Sequence, residues 1–316
     1  MTFKFRKLGL LFNPADVDDS PDWMHSHAQI PTPCLIEPNT LRVYFATRDS
    51  KNMSRIGYVD LSMNELSNII QFSTVPVLAE GTLGTFDDCG VMPSWIVEHD
   101  SKSLLYYIGW NVRNTVPYHN TVGVAEWHQE THQFKRLYTG PVLERTATEP
   151  YFTGTSCVLI DNGVWKCWYM SCTSWEQFAD CVEPRYHIKY AESDNGIQWT
   201  RHGVAAIDYL SPDEGGISKA SVIKVSGTYY MWYSYRMLVD YKTDKEKSYK
   251  IGFATSKDGV NWIRKDNQSG ITCSQQGWDS EMICYPHIFK HQQSLYMLYN
   301  GNGFGQSGFG IAVAEL

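Results

Sequence analysis

Hydrophobic positions along the chain alternate over short distances, as is typical of β-strands. Apolar and aromatic runs of about 4–8 residues are separated by clusters of Gly, Asn, Asp and Ser, which favour turns. No stretch shows the 3.6-residue spacing of apolar residues that marks an amphipathic helix. The pattern therefore predicts an all-β protein.

One arrangement of strands recurs about every 60 residues, which indicates a repeat architecture. Each copy has an apolar strand, a turn, a strand rich in Tyr or Trp, and then a third strand. The first strands begin at Pro31, Met92, Thr153, Ser218 and Cys284. The third strands begin at Arg55, Thr121, His187, Lys250 and Gly308.

Two of the third strands run into the pattern S-x-[DN]-G-[IV]-x-W, at 193–199 and 256–262. The Gly allows a positive φ in a tight turn, and we expect the Trp to pack between sheets. A fourth strand is predicted to follow each third strand. Fourth strands are predicted to begin after Gln71, Gln133 and Gln198.

The last copy ends with its third strand, and the missing strand is found at the other end of the chain. The segment that starts at Phe3 resembles the fourth strand that starts at Phe134. Pairing of the first and last segments would hide the edges that an open array exposes. The sequence thus predicts one domain over 1–316, a five-bladed β-propeller closed by its N-terminal strand.

Composition narrows the class of protein. The chain has 316 residues, of which 19% are charged and 14% are aromatic, and this excludes intrinsic disorder and coiled coil. A net charge of −7 argues against nucleic acid as a partner. No apolar run approaches the roughly 18 residues of a membrane helix, so no membrane partner is expected.

The location of the protein is predicted from its N-terminus and its cysteines. The apolar stretch at 8–12 is too short for a signal peptide, and acidic residues follow it. The eight Cys include no C-x-x-C pair, so we interpret them as buried apolar residues rather than as disulfides or metal ligands. We therefore expect a cytoplasmic protein.

Acidic residues recur just before the first strands. In a propeller those approaches meet at one mouth, and glycoside chemistry needs one protonated and one ionised carboxyl group there. We predict that Asp88 is the base or nucleophile and that Glu214 or Glu281 is the acid, with Asp87 or Glu149 tuning the pKa. Such acids can also bind loop N–H groups, and this structural interpretation stays open.

Other polar and aromatic residues are predicted to bind a sugar at the same mouth. Arginine can bind carboxylate or phosphate groups, and Trp offers a flat apolar face to a sugar ring, although aromatic residues on these strands can equally pack between blades. Loops at 112–120, 173–186 and 237–248 are expected to carry specificity. The candidates are His27, Arg48, Trp110, Asn111, His119, Arg236, Tyr285 and Asn300.

With its S-x-[DN]-G turns and acids before the first strands, the repeat resembles the five-bladed propeller glycosidases: the arabinanase, invertase and mannoside-phosphorylase groups. It is also similar to glycosidase-like proteins of bacterial polysaccharide gene clusters. The segment from Cys89 to Ser94 looks like the phosphorylases' Gly-x-x-Asp-Pro-Arg motif, with Pro93 in place. The resemblance implies an aspartate at the first blade, where this sequence has His25 and His27.

Together these features predict a carbohydrate-active enzyme that acts on a glycosidic bond, with a carbohydrate as its partner. No organic cofactor and no metal ligand set is predicted. Two alternatives stay open: a sugar-binding propeller without catalysis, and transfer or phosphorolysis with an activated donor whose phosphate Arg48 and Arg236 would meet. The sugar, its anomer, an axial cation and the oligomeric state are not determined by the sequence.

Overall fold

The computed structural model describes residues 2–315, which form twenty β-strands, two 3-10 turns and one short helix. The helix spans Asn302–Gly305, and the 3-10 turns span Pro14–Asp16 and Asp266–Gln268. The prediction of an essentially all-β chain is confirmed. No helix in this part of the chain is long and apolar enough to cross a membrane.

Strand pairing gives three four-stranded sheets and one eight-stranded sheet, and we divide the latter at its single parallel pair to describe five antiparallel groups of four strands. The first group is β2 (Ser26–Glu37), β3 (Thr40–Arg48), β4 (Ser54–Ser62) and β5 (Ile69–Phe72). The second is β6 (Val91–His99), β7 (Lys102–Val112), β8 (Tyr118–His128) and β9 (Gln133–Arg136). The third is β10 (Thr153–Asp161), β11 (Val164–Gln177), β12 (Val182–Ser193) and β13 (Thr200–Ile207). The fourth is β14 (Glu214–Val225), β15 (Thr228–Met237), β16 (Lys250–Ser256) and β17 (Trp262–Arg264). The fifth is β18 (Cys284–His291), β19 (Ser294–Asn300), β20 (Phe309–Glu315) and the N-terminal β1 (Arg6–Phe12).

The groups are linked mainly through their first strands. In the fifth group, β1 pairs antiparallel with β20, from Arg6 opposite Val313 to Phe12 opposite Phe309. The third and fourth groups share one parallel pair, Tyr186 opposite Gly216. Each first strand contacts the first strand of the next group, and β18 contacts β2. The first strands therefore lie beside one another, and loops that enter them come close together.

The Tyr- and Trp-rich second strands form the core between the groups. Trp168, Tyr169, Trp232, Tyr233 and Tyr299 are completely buried. Packing of these side chains against neighbouring groups explains the high aromatic content, because aromatic rings bury the most apolar area per residue.

The S-x-[DN]-G turns form as predicted. Gly259 has a φ of 79°, and the Ser256 hydroxyl accepts its N–H at 2.8 Å. The Asp258 carboxylate accepts the N–H groups of Val260 and Asn261, both at 2.8 Å. The predicted role of the glycine in this turn is confirmed.

The fourth strands are shorter than the sequence suggests. The ladder of the first two groups stops at Phe72 and at Arg136, and single pairs form further along, Ile56 with Leu78 and Val122 with Leu143. Pro76 and Pro141 lie in the interrupted segments, where their lack of an N–H prevents continuous pairing.

A glycine on a third strand is needed for close packing. A Cβ atom on Gly123 would lie 2.4 Å from Cζ of the buried Tyr107 and 2.7 Å from the Phe86 ring. We expect Gly123→Ala to lower the free energy of unfolding by about 1–3 kcal/mol, as overpacking does. Gly140→Ala is the matched control, because nothing lies within 4 Å of its Cβ position. Urea unfolding measures both; equal values for the two variants would contradict this packing.

Candidate functional site

The acids that precede the first strands have recurring partners. We use the term latch for a set of three side chains in one group: such an acid, a tyrosine on the second strand and a basic residue on the fourth strand. In the second group, Asp87 binds Arg136 at 2.7 Å and accepts the Tyr107 hydroxyl at 3.1 Å. In each of three latches the tyrosine lies 20 residues after the acid. The three latches are Asp87, Tyr107 and Arg136; Glu149, Tyr169 and Arg201; and Asp279, Tyr299 and Lys7.

The fourth and first groups vary this arrangement. In the fourth, Arg264 binds Glu214 at 2.8 Å and also binds Asp266, which accepts the Tyr233 hydroxyl. The first group has His25 and Phe45 at the equivalent 20-residue spacing, so neither an acid nor a hydroxyl is present. The recurrence of acids thus has a structural cause: each latch holds a fourth strand against its own group.

Two of the predicted site residues belong to these latches. Asp87 and Glu149 were expected to face a common pocket, but their carboxylates are buried and bound to Arg136 and to Arg201 with Lys189. A buried carboxylate needs a cation and hydrogen bonds to offset its desolvation, and the latch supplies both.

The first strands carry backbone irregularities at their entrances. His27, Lys219 and Tyr285 have φ values of 65°, 51° and 54°, which residues other than glycine rarely adopt. The pairing register of β2, β14 and β18 shifts at these places. Bulges of this kind re-aim side chains and are frequent beside functional sites.

A cavity of about 350 Å³ lies where the five groups meet, and we call it the central pocket. Every group contributes at least one residue, either from a strand end or from the loop after its second strand. Its lining is His27, Gln29, Arg48, Pro117, Tyr118, Trp175, Val182, Glu183, Pro184, Tyr186, Tyr241, Lys242, Tyr249, Tyr285 and Phe304. The walls are therefore mainly aromatic, with a few polar groups among them.

A buried arginine orders the aromatic wall. Arg236 is 1% exposed, and its guanidinium lies 3.7 Å from the centre of the Tyr241 ring. It donates to the carbonyl oxygens of Pro184 at 3.1 Å and Met237 at 2.8 Å, and to the Tyr186 hydroxyl at 3.2 Å. Its hydrogen bonds to protein groups make Arg236 a positioning residue behind the pocket.

Glu183 is the one carboxylate that lines the central pocket within residues 2–315. It is 6% exposed, and it accepts hydrogen bonds from the Tyr241 hydroxyl and the Lys242 ammonium, both at 2.7 Å. Lys242 itself is more than half exposed. Glu183 is thus a carboxylate available at the pocket wall.

His27 and Arg48 form the opposite side. Burial, reinforced by the positive charge of Arg48, lowers the pKa of His27 to about 4. His27 is therefore neutral near pH 7 and can both donate and accept a hydrogen bond. The Arg48 Nη2 donates to the Gln29 amide oxygen at 3.2 Å, while burial lowers the pKa of Arg48.

Of the predicted sugar-binding residues, the pocket brings together His27, Arg48 and Tyr285. Asn300 lies behind it and holds the bulge of β2, because its amide oxygen accepts the N–H of Ile30 at 2.8 Å. His119 lines a second cavity, which shares Trp175 with the central pocket, and its Nε2 lies 2.9 Å from Oε1 of Glu144.

Trp110 and Asn111 lie away from the central pocket. The Trp110 indole donates to the Ser54 hydroxyl at 2.9 Å, and the Asn111 amide donates to the Thr85 carbonyl oxygen, also at 2.9 Å. Trp110 thus joins the second group to the first, and Asn111 joins the end of β7 to the loop that enters the second group.

The three acids predicted to be catalytic lie at separate places. Asp88 is half-buried and accepts the N–H of Gly84 at 2.9 Å; hydrogen bonds of this kind lower its pKa. Glu214 is buried against Arg264. Glu281 is exposed beside a groove that Lys245 also lines. None of the three lines the central pocket, and their catalytic roles stay predictions.

Glu183, Tyr118 and Tyr241 were not predicted individually, because they lie in segments that the sequence analysis assigned to loops. The segment 173–186 forms the outer part of a hairpin, in which Trp175 pairs with Pro184 and Glu176 with Glu183. The alternation of polar and aromatic residues in this segment could have predicted the hairpin, since such alternation indicates that a strand continues. The three segments that are expected to carry specificity, at 112–120, 173–186 and 237–248, all contribute residues to the pocket lining.

A polar cluster lies deeper between the first strands. Lys219 is completely buried, its Nζ lies 3.4 Å from Nδ1 of His287, and the His287 ring stacks on Trp95 at 4.1 Å. Burial lowers the pKa of Lys219 to about 7. Lys219 has no carboxylate within ion-pair distance among the described residues, so the charged form of its side chain lowers the free energy of unfolding.

The pH dependence of stability tests this cluster. The pKa of Lys219 is lower in the folded chain than the ordinary 10.5, so stability falls as the pH decreases from about 10.5 to about 7. Lys219→Met should remove that slope and make the protein more stable than wild type at pH 7. Urea unfolding at pH 7 and pH 9.5 measures it, with the exposed Lys290→Met as control. Equal pH slopes in wild type and Lys219→Met would contradict the assignment.

Within the described residues, no group of three or more His, Cys, Asp or Glu side chains is arranged to hold a metal ion. The polar groups that line the central pocket are those of Glu183, His27, Gln29, the tyrosine hydroxyls and two cationic side chains, Arg48 and Lys242.

Comparison with known proteins gives two close relatives. The uncharacterised proteins MT1551 and Rv1502, from two strains of Mycobacterium tuberculosis, are each 37% identical to this chain over 311 residues. The matches cover 98% of this chain and 99% of each relative. No model of a known protein family matches the chain.

Solved structures show a shared fold at low sequence identity. A glycoside hydrolase has a TM-score of 0.72 at 17% identity, over 99% of this chain and 91% of that one. A glycosyl hydrolase from Bacteroides ovatus has a TM-score of 0.69 at 16% identity, over 99% and 94%. A thermostable family-43 glycoside hydrolase has a TM-score of 0.65 at 15% identity, over 92% and 88%.

Proposed function

Because the chain belongs to one family with the Mycobacterium tuberculosis proteins MT1551 and Rv1502 and has the fold of glycoside hydrolases, we propose that it is a glycosidase-like, carbohydrate-active protein. The proposed ligand site is the central pocket. The observation that carries the proposal is its lining: aromatic faces from several strand groups around one carboxylate, Glu183.

We further propose that the five strand groups are the blades of a single five-bladed propeller, closed through β1. Two observations support this: β1 pairs with β20, and β18 contacts β2 as well as β14. In such a ring the entrances of the first strands share one mouth, which accounts for a pocket that draws on every group.

The chemical character of the pocket suits a saccharide. A volume of about 350 Å³ is at the lower end of the range for small-ligand sites, about 300–1,000 Å³. Aromatic faces such as those of Tyr118, Trp175 and Tyr285 can pack against the apolar faces of sugar rings. Gln29, His27 and Glu183 supply donors and acceptors for hydroxyl groups.

Glu183 is the proposed addition to the catalytic candidates. Its position at the wall lets it act on a bound sugar as a base, a nucleophile or a stabiliser of developing positive charge. Asp88, Glu214 and Glu281 remain proposed alternatives, and each would need to reach a sugar bound outside the central pocket.

A second function is favoured by a specific observation. Glycoside hydrolysis ordinarily uses two carboxyl groups on either side of the bond, and the lining residues given above include a single one. A propeller that binds a carbohydrate without cleaving it needs no second carboxylate. The binding function is therefore the alternative proposal.

A screen separates the two functions. Aryl glycosides, sugar phosphates and nucleotide sugars are tested for turnover and for a rise in the thermal unfolding midpoint. Turnover supports the enzyme, whereas a thermal shift without turnover supports the binding protein. Loss of activity in Asp88→Asn, Glu214→Gln or Glu281→Gln, with Glu183→Gln active, would contradict the central pocket as the reaction site. The absence of both turnover and thermal shift would contradict both functions.

A further inference from the structure

We propose that the ligand of the central pocket carries an anionic group, a carboxylate or a phosphate, and that the Arg48 guanidinium binds it. The inference rests on the proposed function and narrows it to acidic sugars or sugar phosphates. Two observations support it: most N–H donors of Arg48 have no partner in the protein, and the side chains that line the pocket carry a net positive charge.

Arg48 ends strand β3 and lines the pocket beside Gln29. The guanidinium makes one hydrogen bond to a described residue, to the Gln29 amide oxygen at 3.2 Å. Its Nε is buried and has no hydrogen-bond partner in this part of the chain. A guanidinium has five N–H donors in a planar fork, so most of its donor capacity is unused by the protein.

Four other inward-facing arginines have carboxylate partners, whereas the buried Arg236 is held by carbonyl oxygens and the Tyr186 hydroxyl. Arg42 binds Asp60 through two nitrogens, at 2.7 and 2.8 Å, and both side chains are buried. The latch arginines, Arg136 and Arg201, and Arg264 of the fourth group each bind a buried acid. Arg48 differs from these in facing a cavity instead of a carboxylate.

The lining of the pocket has a positive balance. Glu183 is its one acid within residues 2–315, and Lys242 already pairs with it at 2.7 Å. His27 is neutral near pH 7, since its pKa is lowered to about 4. Arg48 is left without an opposite charge, and the buried Arg236 behind the tyrosines adds a second cation. The chain as a whole has a net charge of −7, so the local charge of the pocket is opposite in sign to the net charge of the protein.

A carboxylate or phosphate would supply the negative charge and the hydrogen-bond acceptors that the Arg48 guanidinium lacks. The guanidinium fork binds both groups through paired N–H···O hydrogen bonds, which are stronger than those to neutral hydroxyls. The sugar ring attached to the anionic group would pack against the neighbouring Tyr285 and Phe304 rings. A uronic acid and a sugar phosphate share this recognition chemistry and differ in the anionic group.

The test compares matched pairs of ligands. Isothermal titration calorimetry of the full chain uses D-glucuronate and D-galacturonate against D-glucose and D-galactose, with glucose 1-phosphate as the phosphate arm. We expect at least one anionic sugar to bind about 10- to 100-fold more tightly than its neutral parent, as expected for charged hydrogen bonds. Whether a uronate or the phosphate binds best identifies the anionic group.

Variants then assign the effect to one residue. Arg48→Gln should abolish the preference for the anionic sugar and leave weak binding of the neutral one. Arg113→Gln is the control, because Arg113 is exposed in the neighbouring cavity and should leave the preference unchanged. The thermal unfolding midpoint of Arg48→Gln should equal or exceed that of wild type, since no ion pair is lost.

The outcomes are distinguishable. Equal affinity for anionic and neutral sugars would overturn this inference and leave the proposed function standing. A preference that persists in Arg48→Gln would overturn the assignment to Arg48. Binding of none of these sugars, with no thermal shift in the wider screen, would overturn the proposed function itself.

Discussion

Replacing Glu149 with Gln is expected to lower the free energy of unfolding by about 3–5 kcal/mol, the usual cost of removing one partner from a buried ionic cluster. The Glu149 carboxylate is 5% exposed and binds Lys189 at 3.2 Å and Arg201 at 3.1 Å. It also accepts the Tyr169 hydroxyl at 3.0 Å. An amide cannot neutralise the two cations, so they would remain buried and uncompensated.

The pH dependence of stability gives a second readout of the same latch. Burial alone would raise the pKa of Glu149, but Lys189 and Tyr169 outweigh it and hold the pKa below the ordinary 4.5. The stabilisation is therefore present above about pH 4.5 and is lost as the pH falls below it. Glu149→Gln should flatten that acid-side slope.

Guanidinium unfolding at pH 7 and pH 4 measures both effects. Glu130→Gln is the matched control, because Glu130 is exposed at the turn between β8 and β9 and should change stability by less than about 0.5 kcal/mol. A Glu149→Gln midpoint equal to that of the control would mean that the latch does not hold β13 in place.

Replacing Glu183 with Gln is expected to lower the turnover of any substrate found in the screen by about 100- to 10,000-fold, as loss of an acid–base group does. Gln keeps the shape of the side chain and an acceptor for the Tyr241 hydroxyl, so the pocket should stay intact. Ligand affinity should therefore change far less than turnover.

Glu176→Gln is the matched control for this experiment. Glu176 lies directly opposite Glu183 in the register of the β11–β12 hairpin but outside the pocket lining. Steady-state kinetics and calorimetry on both variants separate chemistry from binding. Unchanged turnover in Glu183→Gln would show that another group performs the chemistry.

Local sequence patterns predicted much of the fold, because strands and tight turns are determined largely by residues that are close together in the sequence. Alternation and turn residues located the first, second and third strands, and the S-x-[DN]-G segments formed the turns expected at Gly196 and Gly259. The fourth strands were overextended, since the sequence does not show how far a ladder continues around Pro76 and Pro141.

The candidate site was harder to predict because it depends on contacts between distant segments. The acids before the first strands recur for a structural reason, which the 20-residue spacing from Asp87 to Tyr107 and from Glu149 to Tyr169 could have indicated. His27, Arg48 and Tyr285 were predicted because they lie at strand ends that share one mouth.

The remaining pocket residues depend on how segments outside the repeat fold. Glu183 lies on a hairpin that extends beyond the regular strands, and Tyr241 lies in the segment between β15 and β16. These segments follow second strands but differ in length and sequence from copy to copy, so comparing the copies could not bring these side chains together. Their meeting depends on packing around Arg236, which contacts both Tyr186 and Tyr241.

A crystal structure with the tightest-binding saccharide from the screen tests the central claim most directly. The account predicts the sugar between Tyr118 and Tyr285, with Arg48 and Glu183 in hydrogen-bonding contact. A sugar found beside Glu281, or in the cavity lined by Arg113, with the central pocket empty, would contradict it.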